Sequence, residues 1–287
     1  MNQLLSDLLK VMTLERLELN LFRGESRDIG STQVFGGQVL GQALVAASTT
    51  VSERSVHSLH AYFLVRGDFN APIVYEVDRA RDGRHFSMRR IVAIQHGEPI
   101  FNMSASFQAP EAGLDHQFAM PEVPGPDSLP SLESLAQNSP VELPQRLRRL
   151  LERRRPFEFR PVVPPEYAEP RKLPPYRNVW FRAVDTLPVD QSLHRCLLAY
   201  VSDFNLLDTA TLPHGLSFTS ERLIMASIDH AMWFHRDVRV DDWLLYSTDS
   251  PSSSGARGFT RGAIFSRDGR LVASTAQEGL MRRSTPA

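Results

Sequence analysis

"SIDHAMWFHRDVRVDDWLLYST" (residues 227–248) and "HSLHAYFLVRGDFNAPIVYEV" (residues 57–77) carry one pattern twice. His60-Ala61 falls on His230-Ala231 and Arg66 on Arg236, at an offset of 170 (230 minus 60). Downstream, "FSMRRIVAIQHGEPIFNMSASF" lies beside "GFTRGAIFSRDGRLVASTAQEG", which sets Arg89 on Arg261 and Gly97 on Gly269 at an offset of 172 (261 minus 89). The change of two is the length of one loop insertion.

The order of elements repeats as well. Each half offers a short strand-like piece, a helix-like piece and then several strands. The first helix is "GGQVLGQALVAAST", opened by a glycine pair, and the second is "DQSLHRCLLAYVSDFNLLDTA". Leu193, Leu197, Tyr200, Phe204 and Leu207 recur there at helical spacing and form an apolar stripe. The later pieces alternate or run apolar between turn signals such as "RDG" at Arg81 and Arg267. A helix followed by antiparallel strands, twice, is an α+β plan. A sheet curled around one long helix buries that helix on most sides, which explains the small and apolar residues in both. The predicted units are residues 1–112, a connector over 113–155 and residues 156–287. The connector is crowded with Pro and Ser, and "PQRLRRLLERRRP" within it predicts a short basic helix with a solvated face.

Composition narrows the function. The 287 residues carry a formal net charge of -1, which excludes a general nucleic-acid binder. The lone Cys196 rules out an internal disulfide framework and fits a reducing compartment, so the cytoplasm is the expected location. No apolar run approaches a membrane span. "MNQLLSDLLKVMTLERLEL" predicts an amphipathic helix and not a signal peptide, and "RRSTPA" is no peroxisomal address.

Ser227, Asp229 and His230 fall within four residues and invite the reading of a catalytic triad. A triad is defined by geometry. On a regular strand side chains alternate, so Ser227 and Asp229 share one face while Ile228 and His230 share the other. Ser227 and His230 then point apart, and no G-x-S-x-G elbow offers another nucleophile. Placing Ser227 well requires a bulge or two-sided burial. Two further polar residues sit beside apolar positions: Asp203 in the second helix and Gln277 on the last strand. A buried carboxylate and a buried amide both need partners. Asp203, Ser227 and Gln277 together suit hydrolysis by an activated water. Asp203 takes the proton, and Ser227 and Gln277 hold the water or the carbonyl.

These residues resemble a family. "LFRGES", "QVFGGQVLGQAL", "VHSLHAYFLVRGD", "RDGRHFSMRR", "PIFNMSASFQAPE", "IDHAMWFHR", "ARGFTRG" and "VASTAQEG" occur in the order of the bacterial acyl-CoA thioesterase II family and span nearly the whole chain. The resemblance implies a double hotdog, two tandem repeats of a long helix wrapped by an antiparallel β-sheet. It implies hydrolysis of fatty acyl-CoA to free acid and CoA without metal or cofactor, and a homo-oligomer, dimer or tetramer. The family's Asp, Thr or Ser, and Gln fall on Asp203, Ser227 and Gln277. The repeat sets His57 and Ala105 opposite Ser227 and Gln277, so the N-terminal half should be catalytically silent. Two alternatives compete. Hotdog enoyl-CoA hydratases carry a pattern like D-x-N-P-x-H, but "DFNLLD" has Leu206 for the Pro and Asp208 for the His. A non-catalytic acyl-CoA-binding module is the other. His57, His60, His85 and His235 lack metal-ligand spacing. "VFGGQ" presents backbone N–H groups at a helix start, where an anion or thioester oxygen can sit, whereas Arg257 and Arg261 read as strand-flanking residues.

Overall fold

The structure is a computed structural model that describes residues 1–283 except 31–32, 144, 168 and 221–222, and leaves out the side chains of 146 and 150. The first half begins with α1 (Gln3–Met12), β1 (Glu15–Glu18), β2 (Leu21–Gly24) and α2 (Gly36–Thr49). β3 (Ser55–Phe63), β4 (Ile73–Asp82), β5 (Phe86–Gln95) and β6 (Glu98–Gln108) follow. The connector forms α3 (Leu132–Gln137) and α4 (Gln145–Glu152). The second half holds β7 (Phe157–Pro161), β8 (Tyr176–Ala183), α5 (Gln191–Ser202), β9 (Leu223–Ser227) and β10 (Asp229–Phe234). β11 (Leu244–Ser254), β12 (Arg257–Ser266) and β13 (Leu271–Arg283) complete it.

All strands join one antiparallel sheet in the order β1-β2-β4-β5-β6-β3-β10-β13-β12-β11-β8-β7, with β9 continuing alongside β13. Read inward from either edge, the two halves have the same strand order, and they meet where β3 pairs β10. This is the expected α+β double hotdog.

The two long helices pack antiparallel through glycine. A Cβ on Gly37 would lie 2.2 Å from the Tyr200 carbonyl oxygen, and one on Gly41 would lie 3.2 Å from that of Cys196. Only glycine allows so close a backbone approach. Residues 37–44 of α2 and 194–202 of α5 are buried, because the sheet wraps both. The antiparallel packing brings the start of α2 against the end of α5, and this juxtaposition creates the site. Cys196 lies in the same core, where burial pushes its thiol up to about 12. α4 buries Leu147 and Leu151 against Ala136, Leu143 and Tyr167, so one face of the basic helix is packed.

Three sequence expectations change. The second helix does not run on to Leu207. It ends at Ser202 with Asp203 as its C-cap, and Asn205 takes a left-handed φ of 61°. Asn tolerates that conformation, which stops the helix. Leu207 instead begins a 3₁₀ segment that packs against Gly279.

Second, Ser227 and His230 do not point apart. Ser227 pairs with Gly279, whereas Ala231 pairs with Ala276, so the β9–β10 strand carries one extra residue. A bulge reverses the alternation. Ser227 therefore joins His230, Gln277 and Gly279 on the helix-facing side. Asp229 accepts a hydrogen bond from the Glu278 backbone N–H at 2.6 Å and pins the bulge.

Third, the repeat aligns differently in space. His230 is fully buried opposite Ala61, whereas His60 is exposed opposite Ala231. β3 has its own register shift between Val56 and Ser58. Matching bulge to bulge and inward face to inward face makes Val56, not His57, the counterpart of Ser227. Ala105 remains the counterpart of Gln277. Arg89, opposite Ala105, then matches Thr260, opposite Gln277, and not the exposed Arg261.

Candidate active site

Asp203, Ser227 and Gln277 come from a helix end, a bulged strand and the middle of a long strand. Gln277 is 1 % exposed, and the side chain of Asp203 is 6 % exposed. Gln277 Nε2 donates to Asp203 Oδ1 at 2.7 Å and to His230 Nδ1 at 3.2 Å. An amide nitrogen has two hydrogens, and both are then committed. Gln277 Oε1 is buried with no hydrogen-bond partner among the described residues. The amide therefore has an unused acceptor and no unused donor.

The first half contributes the opposite wall. A Cβ on Gly36 would stand 2.8 Å from Asp203 Oδ2 and 3.0 Å from the Phe63 ring. Glycine here lets the start of α2 reach the carboxylate. α2 opens without a side-chain cap, so its first N–H groups keep their donors, and the helix dipole adds positive potential. Phe35, at the N-cap, packs on Phe204 at 4.3 Å and on Tyr200 at 5.3 Å between ring centroids. A cavity of about 180 Å³ opens here, with Gly36 and Ser227 in its lining and Val39, Phe63, Ile100 and Phe101 as apolar walls.

Beneath the pair lies a buried polar chain. His230 Nε2 stands 3.0 Å from Ser202 Oγ, which donates to the Ala199 carbonyl oxygen at 2.9 Å. Tyr246 donates its hydroxyl hydrogen to the Ser202 carbonyl oxygen at 3.0 Å or to Thr275 Oγ1 at 2.8 Å. Burial lowers the His230 pKa below 6.5, and the Asp203 charge partly opposes this. Burial also raises the Tyr246 hydroxyl far above its ordinary value.

The structure thus brings Asp203 and Gln277 into contact and sets Ser227 on the same face. Sequence reading weighed His230 with Ser227 and Asp229 and set it aside, because strict alternation turned it away from Ser227.

Comparison with known proteins gives the context. A family profile described as acyl-CoA thioesterase matches residues 150–280, and one described as acyl-CoA thioesterase N-terminal domain matches residues 23–108. Acyl-CoA thioesterase 2 of Haemophilus influenzae is 42% identical over 99% of this chain and 100% of its own. The chain belongs to the acyl-CoA thioesterase II family. Human acyl-coenzyme A thioesterase 8 is 41% identical over 95% of this chain and 88% of its own. The crystal structure of acyl-CoA thioesterase II TesB2 from Mycobacterium marinum superposes with a TM-score of 0.80 at 42% identity, covering 98% of this chain and 99% of that one. A hot dog fold protein from Alicyclobacillus acidocaldarius, 19% identical with a TM-score of 0.77, shares the fold over 98% of this chain and 99% of its own.

In this thioesterase the hydratase-like "DFNLLD" is structural at its far end. Asp208 is 5 % exposed and pairs with Arg177 at 2.6 Å. It also accepts from the Phe218 backbone N–H at 3.2 Å, and so ties down the 3₁₀ segment. It stands where a hydratase has its acid-base histidine and offers neither the histidine nor a free carboxylate.

Proposed function

We propose that this acyl-CoA thioesterase cleaves fatty acyl-CoA by direct attack of one water held by Asp203 and Gln277. The observation that carries the reading is the 2.7 Å bond from Gln277 Nε2 to Asp203 Oδ1, because it leaves Asp203 Oδ2 and the buried Gln277 Oε1 as acceptors. Two acceptors engage both hydrogens of a water and leave a lone pair for the thioester carbon. As the C–O bond forms, Asp203 takes one proton as general base. Negative charge develops on the carbonyl oxygen. The first N–H groups of α2, at Gly36 and Gly37, and the Ser227 hydroxyl are donors placed to stabilise it. The C–S bond then breaks with its electron pair on sulfur, and the thiolate takes the proton back from Asp203. The apolar part of the cavity wall, Val39, Phe63, Ile100 and Phe101, suits a hydrocarbon chain, and Arg66 and Ser227 make another part polar.

The N-terminal unit, residues 1–112, is silent in this reading, and residues 156–287 carry the catalytic groups. Val56 and Ala105 stand where Ser227 and Gln277 would, and Thr50 caps α2 where Asp203 caps α5. Arg89, 1 % exposed, fills the first-half position by donating to Thr50 Oγ1 at 2.8 Å and to Asp82 Oδ1 at 2.8 Å. The lone buried Cys196 supports a cytoplasmic location. Tyr62 and Trp233, exposed on the outer face of the central strands, support association into a homo-oligomer. No helix among the described residues is long and apolar enough to cross a membrane.

The test is thiol release from saturated acyl-CoAs of graded length, in chelator. Release of one thiol per acyl-CoA supports the reading. Conversion of an enoyl-CoA to a hydrated acyl-CoA, with no free thiol, would overturn it.

A further inference from the structure

We propose that His230 is a positioning residue that holds the Gln277 amide oxygen toward the attacking water throughout the reaction. This rests on the reading of Gln277 as a water-holding residue. An amide turned end for end has nearly the same shape, so its partners must choose its orientation. Asp203 alone chooses only while it is a carboxylate. Once it has taken the water's proton, it can donate as well as accept, and its contact with Gln277 no longer excludes the reversed amide. His230 Nδ1, at 3.2 Å, is the second partner of Gln277 Nε2 and does not change during that step.

The hydrogen-bond chain fixes what His230 can do. The Ala199 carbonyl oxygen can only accept, so Ser202 Oγ donates its one hydrogen there, at 2.9 Å. Ser202 Oγ is left to accept from His230 Nε2, at 3.0 Å. The ring proton therefore sits on Nε2, and Nδ1 is an acceptor. It faces Gln277 Nε2 and turns the amide oxygen away. The ring is fully buried, so no solvent hydrogen bond competes for Nδ1. Asp203 from the end of α5 is the charged group beside it, with Nδ1 and Oδ1 3.9 Å apart, and Tyr246 from β11 reaches the carbonyl of Ser202. Gln277 Oε1, an acceptor with no partner among the described residues, lies on the far side of the same amide.

The experiment measures thiol-release kinetics and thermal melting for His230→Phe, His230→Leu and His230→Asn. Each is made alone and combined with Gln277→Ala. Phe keeps ring volume and Leu does not, so a folding failure of one leaves the other to be read. Both lack the acceptor, and each is expected to lower kcat by about 10- to 100-fold, the scale of a misplaced catalytic group, with little change in KM. Asn can place its Oδ1 near the position of Nδ1 and should recover most of the rate. In the Gln277→Ala background none of the three should lower kcat further, because His230 acts through Gln277. Native kcat in a folded Phe or Leu variant would overturn the proposal. So would an equal loss in Asn, or a His230 loss that persists undiminished on Gln277→Ala. Native activity in Gln277→Ala by itself refutes the water-holding reading instead, and is read separately.

Discussion

Asp203→Asn removes the proposed base with the least disturbance. The amide fills the carboxylate's space, and its oxygen can still accept from Gln277 Nε2, as Oδ1 does at 2.7 Å. Its nitrogen then takes the place of Oδ2, at the position 2.8 Å from a would-be Cβ of Gly36. That nitrogen cannot accept the water's proton, and it points its hydrogens at the start of α2. Loss of a general base lowers the rate by roughly 10²–10⁴-fold, equivalent to about 2.7–5.5 kcal/mol of activation free energy at about 1.36 kcal/mol per tenfold. The effect on stability is smaller. Loss of one charge beside a helix N-terminus costs about 0.3–1 kcal/mol, a modest shift in Tm. The assay is continuous thiol release with a chromogenic disulfide, with Tm measured on the same preparation. A variant that stays folded, binds substrate with nearly native KM and turns over at most about a hundredth as fast fits the account. A folded Asp203→Asn enzyme within about threefold of native kcat would refute Asp203 as the base.

Three other outcomes follow from the same geometry. Ser227→Thr should retain activity, since the hydroxyl is kept and β-branching restricts its rotamer, whereas Ser227→Ala should lose roughly 10²-fold or more in kcat; a fully active Ala variant would remove Ser227 from the mechanism. Gly36→Ala places a methyl 2.8 Å from Asp203 Oδ2, so kcat should fall by about 10²-fold while circular dichroism stays native, and unchanged kcat would contradict the close approach of α2 to the carboxylate. Burial holds His230 below its ordinary 6.5, so the unfolded chain binds a proton there that the folded chain does not. The stabilisation is present above about pH 6.5 and is lost as pH falls through the lowered folded value, by up to about 1.4 kcal/mol per pH unit. Tm should drop between neutral and mildly acidic pH, and less steeply in His230→Asn; equal slopes would show that His230 titrates normally.

Much of the fold was legible because each half kept its periodicity. The apolar stripe of Leu193, Leu197 and Tyr200 announced one helix and the glycine pair opened the other. The alternation from Ala273 to Gln277 is regular, so the inward aspect of Gln277 could be read directly, although a register shift at Val272 turns Leu271 to the other face. The errors arose where one residue breaks the period. The extra residue between Ser227 and Ala231 turned Ser227 to the side that strict alternation denied it. The left-handed Asn205 ended a helix whose apolar pattern ran on to Leu207. His60 and His230 share a letter but not a face, because β3 and β10 meet antiparallel about their own midpoint. A bulge and a left-handed residue are backbone events with weak local signatures. His230 was passed over because strict alternation turned it away from Ser227. It is core, and its significance comes from Ser202 and Gln277, which are distant in sequence.

The central claim is that water attacks the thioester carbon directly, with no covalent intermediate on Asp203. The Asp203→Asn rate cannot separate this from a mixed anhydride, since a nucleophile and a base are lost alike. A single turnover in ¹⁸O-labelled water, with enzyme in excess over acyl-CoA and with the fatty acid and the Asp203 peptide both weighed by mass spectrometry, separates them if water opens the anhydride at the Asp203 carbonyl, and hydroxylamine trapping separates them if it opens at the acyl carbonyl. Direct attack predicts one labelled oxygen in the fatty acid, none in Asp203, and no acyl-enzyme trapped by hydroxylamine. Label in Asp203 after that one turnover, or a trapped acyl group, would contradict the account.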